Sequence, residues 1–214
     1  MGIPVLILGT SGSGKSASMR NFAPDEIGIF NVASKPLPFR TKMKMRADGA
    51  KYDIIRRTIT KQPSAVKSFV IDDSQYLMAF EFFDKVAVRG YDKFTEIAVN
   101  FRNLIHCVIT ETAPDVIVYF LHHTDVDEHG TVKAKTVGKM LDQQLTVEGL
   151  FSIVMRTKVE DGKYRFVTQT NGNDTVKTPM EMFSDYEIDN DLKMVDNEIR
   201  KYYEIEIKGE ENND

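Results

Sequence analysis

The sequence predicts an α/β fold: a mainly parallel sheet with helices on both faces and β-hairpins added to it. Three observations carry this. Strand and helix signals alternate through the first two-thirds of the chain. The run Val116-Ile117-Val118-Tyr119-Phe120-Leu121 is almost unbroken in apolar character, as in a central strand covered on both sides. Turn signals around Glu128-His129-Gly130-Thr131 and at Asp161-Gly162 each lie between strand-like segments, as hairpins require.

The elements follow in order. Ile3-Pro4-Val5-Leu6-Ile7-Leu8 reads as a first strand, with helix-compatible residues from Ser16 until Pro24. Ile27 to Val32 reads as a second strand. The prolines of Lys35-Pro36-Leu37-Pro38-Phe39 hold that stretch extended, and Thr41 to Asp48 has no clear period and reads as an excursion. Tyr52 to Thr60 fits a helix ended by Pro63, and Ser68 to Ile71 a short buried strand running into Asp72-Asp73. Gln75 to Val88 carries Tyr76, Leu77, Phe80, Phe82 and Phe83, expected as packing residues. Phe94, Ile97, Ala98, Phe101, Leu104, Ile105 and Val108 recur at helical spacing, so Lys93 to Thr110 is a long helix. After the central strand come a hairpin over 125–135, a short helix over Gly138 to Leu145, and a hairpin of Leu150 to Met155 with Tyr164 to Thr168.

Composition narrows the class. With 214 residues and 42% hydrophobic content, one sizeable core is expected, over residues 1–183, followed by an acidic extension over 184–214 that is disordered beyond Lys208. No apolar run reaches eighteen residues and only Cys107 is available for thiol chemistry, so a soluble cytoplasmic protein without membrane contact is predicted. The 28 basic and 32 acidic residues give a formal charge of -4, which argues against a generally basic coat for nucleic acid. A local basic stretch remains, from Lys35 through Arg40, Lys42, Lys44, Arg46, Lys51, Arg56, Arg57 and Lys61 to Lys67.

The chemistry concentrates in Gly9-Thr10-Ser11-Gly12-Ser13-Gly14-Lys15-Ser16, which fills every position of the G-x-x-x-x-G-K-[ST] phosphate-binding loop between a strand and a predicted helix. The glycines let successive N–H groups approach phosphate oxygens. Lys15 supplies a charge for the β and γ phosphates, Ser16 a hydroxyl for Mg²⁺, and Ala17 continues the cradle at the helix start.

Hydrolysis also needs a carboxylate that organises the metal and a group that orients water. Phe69-Val70-Ile71-Asp72-Asp73 supplies an apolar strand ending in acid, with Asp72 for the metal and Asp73 for the water. Asp73 takes that role by elimination, since the second strand ends Val32-Ala33-Ser34-Lys35 without an acid; its rival role is as a helix N-cap. His122 and His123 close the central strand, predicted to lie between the loop strand and the Asp72 strand. Alternation points one of them at the γ-phosphate as a sensor; His122 is the candidate, and which of the pair faces inward stays open.

The segment Gly2 to Gly9 with its loop, Lys35-Pro36-Leu37-Pro38-Phe39, Ile71-Asp72-Asp73 and Thr136-Val137-Gly138-Lys139-Met140 together resemble a family of bacteriophage ATP-binding proteins. These are compact P-loop ATPases related to the RecA and AAA groups, some acting in phage recombination with single-strand annealing proteins. The resemblance spans about residues 2 to 183. It implies a RecA-like core, ATP with Mg²⁺, self-assembly into a ring or filament, and work on single-stranded DNA beside a phage annealing or binding protein in a bacterial host cytoplasm. The missing acid after the second strand departs from a strict recombinase pattern. Assembly ATPases complete the site with a neighbour's cation, for which Lys133, Lys135, Lys139 and Arg156 are candidates, Lys139 foremost. A small-molecule kinase and a slow nucleotide-gated interaction module are the competing classes.

Overall fold

The computed structural model describes residues 1–61, 64–138 and 146–205. The strands are β1 (Ile3–Gly9), β2 (Ile27–Asn31), β3 (Met45–Asp48), β4 (Ser68–Asp72), β5 (Ile117–Val126), β6 (Val132–Ala134), β7 (Ile153–Glu160), β8 (Lys163–Val167) and β9 (Glu187–Asp189). The described helices are α1 (Tyr52–Ile59), α2 (Gln75–Asp84), α3 (Asp92–Glu111) and α4 (Leu192–Tyr202). The sheet order is β3-β2-β4-β5-β1-β7-β8-β9, with β6 paired to β5. All pairings from β3 to β7 along this order are parallel, while β8, β9 and β6 join antiparallel. The fold is therefore α/β with a mostly parallel mixed sheet, and β5, a central strand as its unbroken apolar run predicts, lies between β1 and β4.

Strand alternation divides the core into two layers. Val118 and Phe120 of β5, with Leu6 and Leu8 of β1, pack against Ile55, Met78, Phe101 and Leu104 from α1, α2 and α3. Ile117, Tyr119 and Leu121, with Val5 and Ile7, pack against Met19, Leu192, Val195 and Ile199.

Four expectations are corrected. The helix expected from Ser16 until Pro24 is a six-residue 3-10 turn, Ser16–Asn21. The excursion 41–48 ends in β3, an edge strand whose largely exposed residues show no alternation for a sequence reading to detect. The strand expected at Leu150 begins at Ile153, behind a 3-10 turn at Val147–Leu150, and runs on to Glu160 because a two-residue turn at Asp161-Gly162 pairs Glu160 with Lys163. Phe80 and Phe83, expected as packing residues, are 42% and 65% exposed. The short helix expected over Gly138 to Leu145 falls, beyond Gly138, outside the described residues.

The expected boundary at 183/184 marks no break in packing. β9 extends the sheet beside β8, and α4 buries Leu192, Val195 and Ile199 fully. Their spacing is an apolar helical stripe hidden in an acidic stretch. Asp191 caps the helix by accepting from the N–H groups of Lys193 and Met194. Asp196 then ties it to the sheet. Its Oδ1 accepts from Ser68 Oγ at 2.7 Å and Tyr119 Oη at 2.9 Å, and its Oδ2 from Arg200 Nε at 2.8 Å. Arg200 also donates to Ser68 Oγ and to the Asp115 carbonyl.

Removing one member of such a network leaves a buried charge uncompensated. Asp196→Ala is expected to cost about 3 kcal/mol or more, read as a lower urea midpoint with an unchanged slope, whereas truncating the exposed Lys201 side chain to Ala is expected to change stability by under about 0.5 kcal/mol.

Candidate functional site

Because β1, β4 and β5 are parallel neighbours, their carboxyl ends emerge at one edge, where open α/β sheets place ligand sites. Gly9, ending β1, pairs with His123 of β5. Asp72 ends β4 and pairs with Asn31 of β2. Residues from the Gly9–Ser16 loop, Lys35, Asp72, Asp73, His123 and Tyr164 line one cavity of about 330 Å³.

The loop's own geometry suits an anion. Gly12 and Gly14 have φ of 76° and 94° while Lys15 returns to the right-handed region, an alternation that makes successive N–H groups converge. At Gly14 a side chain would also meet Tyr164 Cδ1 at 2.8 Å, so glycine is required twice over. Ser13 donates to the Thr10 carbonyl at 2.7 Å and accepts from Thr157 Oγ1 at 2.6 Å, which fastens the loop to β7. Lys15 is buried and donates to the carbonyls of Gly9 and Thr10 at 2.7 and 2.8 Å. Burial lowers its ammonium to about 8, against the pull of Asp73 and Asp72. An ammonium held at such cost gains from any anion brought beside it.

Ser16 Oγ donates to Asp72 Oδ1 at 2.7 Å, a contact across 56 residues of sequence. Burial pushes the Asp72 carboxyl up, and the Ser16 hydrogen bond partly offsets this. A hydroxyl and a carboxylate side by side are hard oxygen donors of the kind Mg²⁺ takes, together with ligand oxygens and water. No group of three or more His, Cys, Asp or Glu among the described residues forms a denser metal cluster.

Asp73 sits in the left-handed region at φ 60°, a conformation Asp tolerates better than most residues. Its N-cap alternative is not realised: Ser74 occupies the cap of α2 and no side-chain capping bond forms. Its carboxylate is instead held from two sides, by Lys35 Nζ at 2.5 Å and His123 Nε2 at 3.1 Å. Burial raises this carboxyl, but the hydrogen bonds from His123 and Lys35 outweigh it and bring it to about 2. Since a carboxylate only accepts, His123 donates through Nε2. Tyr76 backs both partners, its ring 5.2 Å below Lys35 Nζ and edge-on to His123 at 5.7 Å.

His122, the candidate sensor, turns the other way. It is fully buried, its Nε2 donates to the Lys135 carbonyl at 2.8 Å, and its Nδ1 lies 2.9 Å from Ser74 Oγ. Burial lowers its pKa to about 4, so it is a neutral structural imidazole, and His123 is the member of the pair at the cavity. Lys139 lies outside the described residues. Arg156 is held by Asp174 at 2.9 Å within the chain, and Lys135 contributes backbone groups to the two histidines.

In the sequence Lys35 belongs to the basic stretch and to the Lys35-Pro36-Leu37-Pro38-Phe39 segment without a site role of its own, and neither Tyr164 nor Asn31 stands out. The buried Asn31 side chain shapes the turn that delivers Lys35: its Nδ2 donates to the Lys35 carbonyl at 2.6 Å and its Oδ1 accepts from the Lys35 N–H at 3.2 Å. Proline after Lys35 was the available signal, because it restricts the lysine backbone to extended conformations. Neither a scan against protein-family models nor a search of curated proteins finds a match to this chain.

Asp73 is ionised more readily folded than unfolded, so its contribution is present above the ordinary carboxylate range and fades as pH falls toward 2. Asp73→Asn is expected to lower stability by about 2 kcal/mol at pH 7, with the gap to the parent closing between about pH 4 and pH 2 in thermal or urea melts.

Proposed function

We propose that this chain is a Mg²⁺-dependent ATPase of RecA-like or AAA type. The single observation that carries the reading is the junction of Ser16 with Asp72 beside the buried Lys15, at the mouth of a loop shaped for phosphate. Lys15 and the loop N–H groups hold the β and γ phosphates, and Thr10, Ser11 and Ser13 complete the cradle. Ser16 and Asp72 would hold Mg²⁺, which would supply neutralisation of charge on the transferring group.

Asp73 orients the attacking water. A carboxylate held near 2 is a weak base, so its value lies in accepting a hydrogen bond from water rather than in taking a proton outright. Lys35 has two competing anions, Asp73 now and a γ-phosphate when nucleotide is bound. Its transfer to phosphate frees one Asp73 oxygen for water, and His123 keeps the other in place. The same pairing favours slow basal turnover, the feature that a nucleotide-gated module would share.

Work on single-stranded DNA by a homo-oligomer, in phage recombination, repair or replication, is the finer part of the proposal. Its support is the path from Lys35 to the exposed basic stretch. Leu37, Phe39 and Met43 pack against the core, while Arg40, Lys42, Lys44 and Arg46 face solvent. Lys44 and Arg46 are paired with Asp25 and Asp48, which leaves Arg40 and Lys42 without an ion pair among the described residues. No helix among the described residues is long and apolar enough to cross a membrane.

Lys15→Ala is expected to weaken binding of a fluorescent ATP analogue about 100-fold. Asp73→Asn is expected to keep that affinity and lower phosphate release about 100-fold or more; equal release by Asp73→Asn and the parent refutes the water-orienting role. In anisotropy titrations with a labelled oligo-dT, Arg40→Glu combined with Lys42→Glu is expected to weaken binding and reduce the salt slope by about 2.

A further inference from the structure

The sheet order gives the cavity at the Gly9–Ser16 loop two unlike ends. Along β4-β5-β1-β7-β8, Asp72 and His123 lie on one side of β1 and Tyr164 of β8 on the other, with the loop after β1 between them. The acids and the Ser16–Asp72 junction mark the end for metal and terminal phosphates. A nucleoside attached to those phosphates leaves toward β8.

Tyr164 stands on that path. Among the described residues lining the cavity, the aromatic rings are those of His123 and Tyr164, and His123 is engaged with Asp73. Tyr164 follows the turn Asp161-Gly162, whose φ values of 51° and 72° suit a tight hairpin, and it pairs with Val159 of β7. Alternation sets it on the face of Phe166, which is buried in the layer of Met19, and on the face from which Thr157 holds Ser13. Its Cδ1 lies 2.8 Å from the point where a Gly14 side chain would begin, yet the residue is 47% exposed. One edge of the ring is thus seated on the loop while much of its surface is open. At about 330 Å³ the cavity is near the lower end of small-molecule sites, so the flat part of a nucleotide rests at its rim, beside this ring.

The neighbours of Tyr164 decide what such a platform reads. Separating adenine from guanine takes hydrogen bonds to the base edge. Lys163 and Arg165 flank Tyr164 in β8 and point to the opposite face by alternation, and Arg165 is paired with Asp189. Asn190, the other side chain close to Gly14, is buried and is not among the residues lining the cavity. A ring face by itself accepts any base, and it holds the larger purine surface better.

Building on the triphosphate reading above, we infer that Tyr164 is the base platform of this site and that the site takes purine nucleoside triphosphates as a class, guanine as well as adenine. The ring stacks on the base, while Lys15, Ser16 and the loop N–H groups hold the phosphates. The two contributions are separate in space and can be measured separately.

Calorimetric titration of the full-length protein, in the presence of Mg²⁺, with the non-hydrolysable β,γ-imido analogues of ATP, GTP and UTP and with inorganic tripolyphosphate tests this. The two purine analogues are expected to bind within about threefold of each other and about threefold or more tighter than the UTP analogue. Tyr164→Ala is expected to weaken both purine analogues about tenfold and to leave tripolyphosphate within about twofold of the parent, and Tyr164→Phe to restore the purine affinity. Circular dichroism and the melting temperature establish that each variant is folded. Tyr164→Leu, which keeps bulk without a ring face, replaces Tyr164→Ala if that variant is not, and the comparison of analogues on the parent needs no variant. A preference of tenfold or more between the purines, unchanged purine affinity in the folded variant, or an equal loss of tripolyphosphate affinity overturns the assignment of Tyr164 and leaves the triphosphate reading standing. Failure of tripolyphosphate and of every analogue to bind overturns both.

Discussion

Parallel pairing of β1 with β5 and of β5 with β4 is the constraint on which the rest of the molecule depends. Parallel strands bring their carboxyl ends to the same edge, so the loop after Gly9, the end of β5 and the acids after Ile71 emerge together although sequence separates them widely. The register matters as much as the direction. Alternation along β5 gives His122 to the core and His123 to the cavity, and a shift by one residue exchanges them. It would also carry Phe120 out of the layer it shares with Phe101 and Phe151, whose rings meet it edge-on. Packing of the apolar strand therefore secures the orientation of a polar residue three positions further on.

The edge so formed holds its charges in tension. Lys15 loses solvation by burial, while Asp73 gains two hydrogen-bonded partners and Asp72 only one. Two lysines and two aspartates balance formally, yet the ammonium of Lys15 sits deep while that of Lys35 is largely exposed and able to move. Such an arrangement responds to an incoming anion by redistributing contacts it already has. The short 3-10 turn after the loop sharpens the point: with no long helix there, the loop N–H groups and the two lysines carry the favourable electrostatics, and little comes from a helix dipole.

Much of this was legible in the residues themselves. The Gly9–Ser16 pattern, the apolar run into Asp72 and the central strand were visible because each is a local property, a spacing or a period. The central position of β5 followed from its two-sided apolar character. Lys35 was not legible as a site residue because the proline after it restricts only its own backbone and does not say which group its side chain meets; only the Asn31-shaped turn aims it at Asp73. β3 escaped because an exposed edge strand has no apolar alternation, and α4 because its acidic residues mask a stripe of Leu192, Val195 and Ile199. Asp196, counted with the acidic tail, is among the most buried charges of the described residues, satisfied by Ser68, Tyr119 and Arg200 from three elements of the fold.

By itself the sequence determined the α/β class, the loop that suits phosphate and the acid strand that belongs beside it, since each depends on residues close together in the chain. Tertiary structure decided which histidine faces the cavity, that Asp73 is clasped by Lys35 and His123 rather than capping a helix, and that the acidic C-terminal stretch completes the core. These depend on register and on contacts between distant segments, and side-chain direction in a sheet is set by pairing partners that no local pattern names.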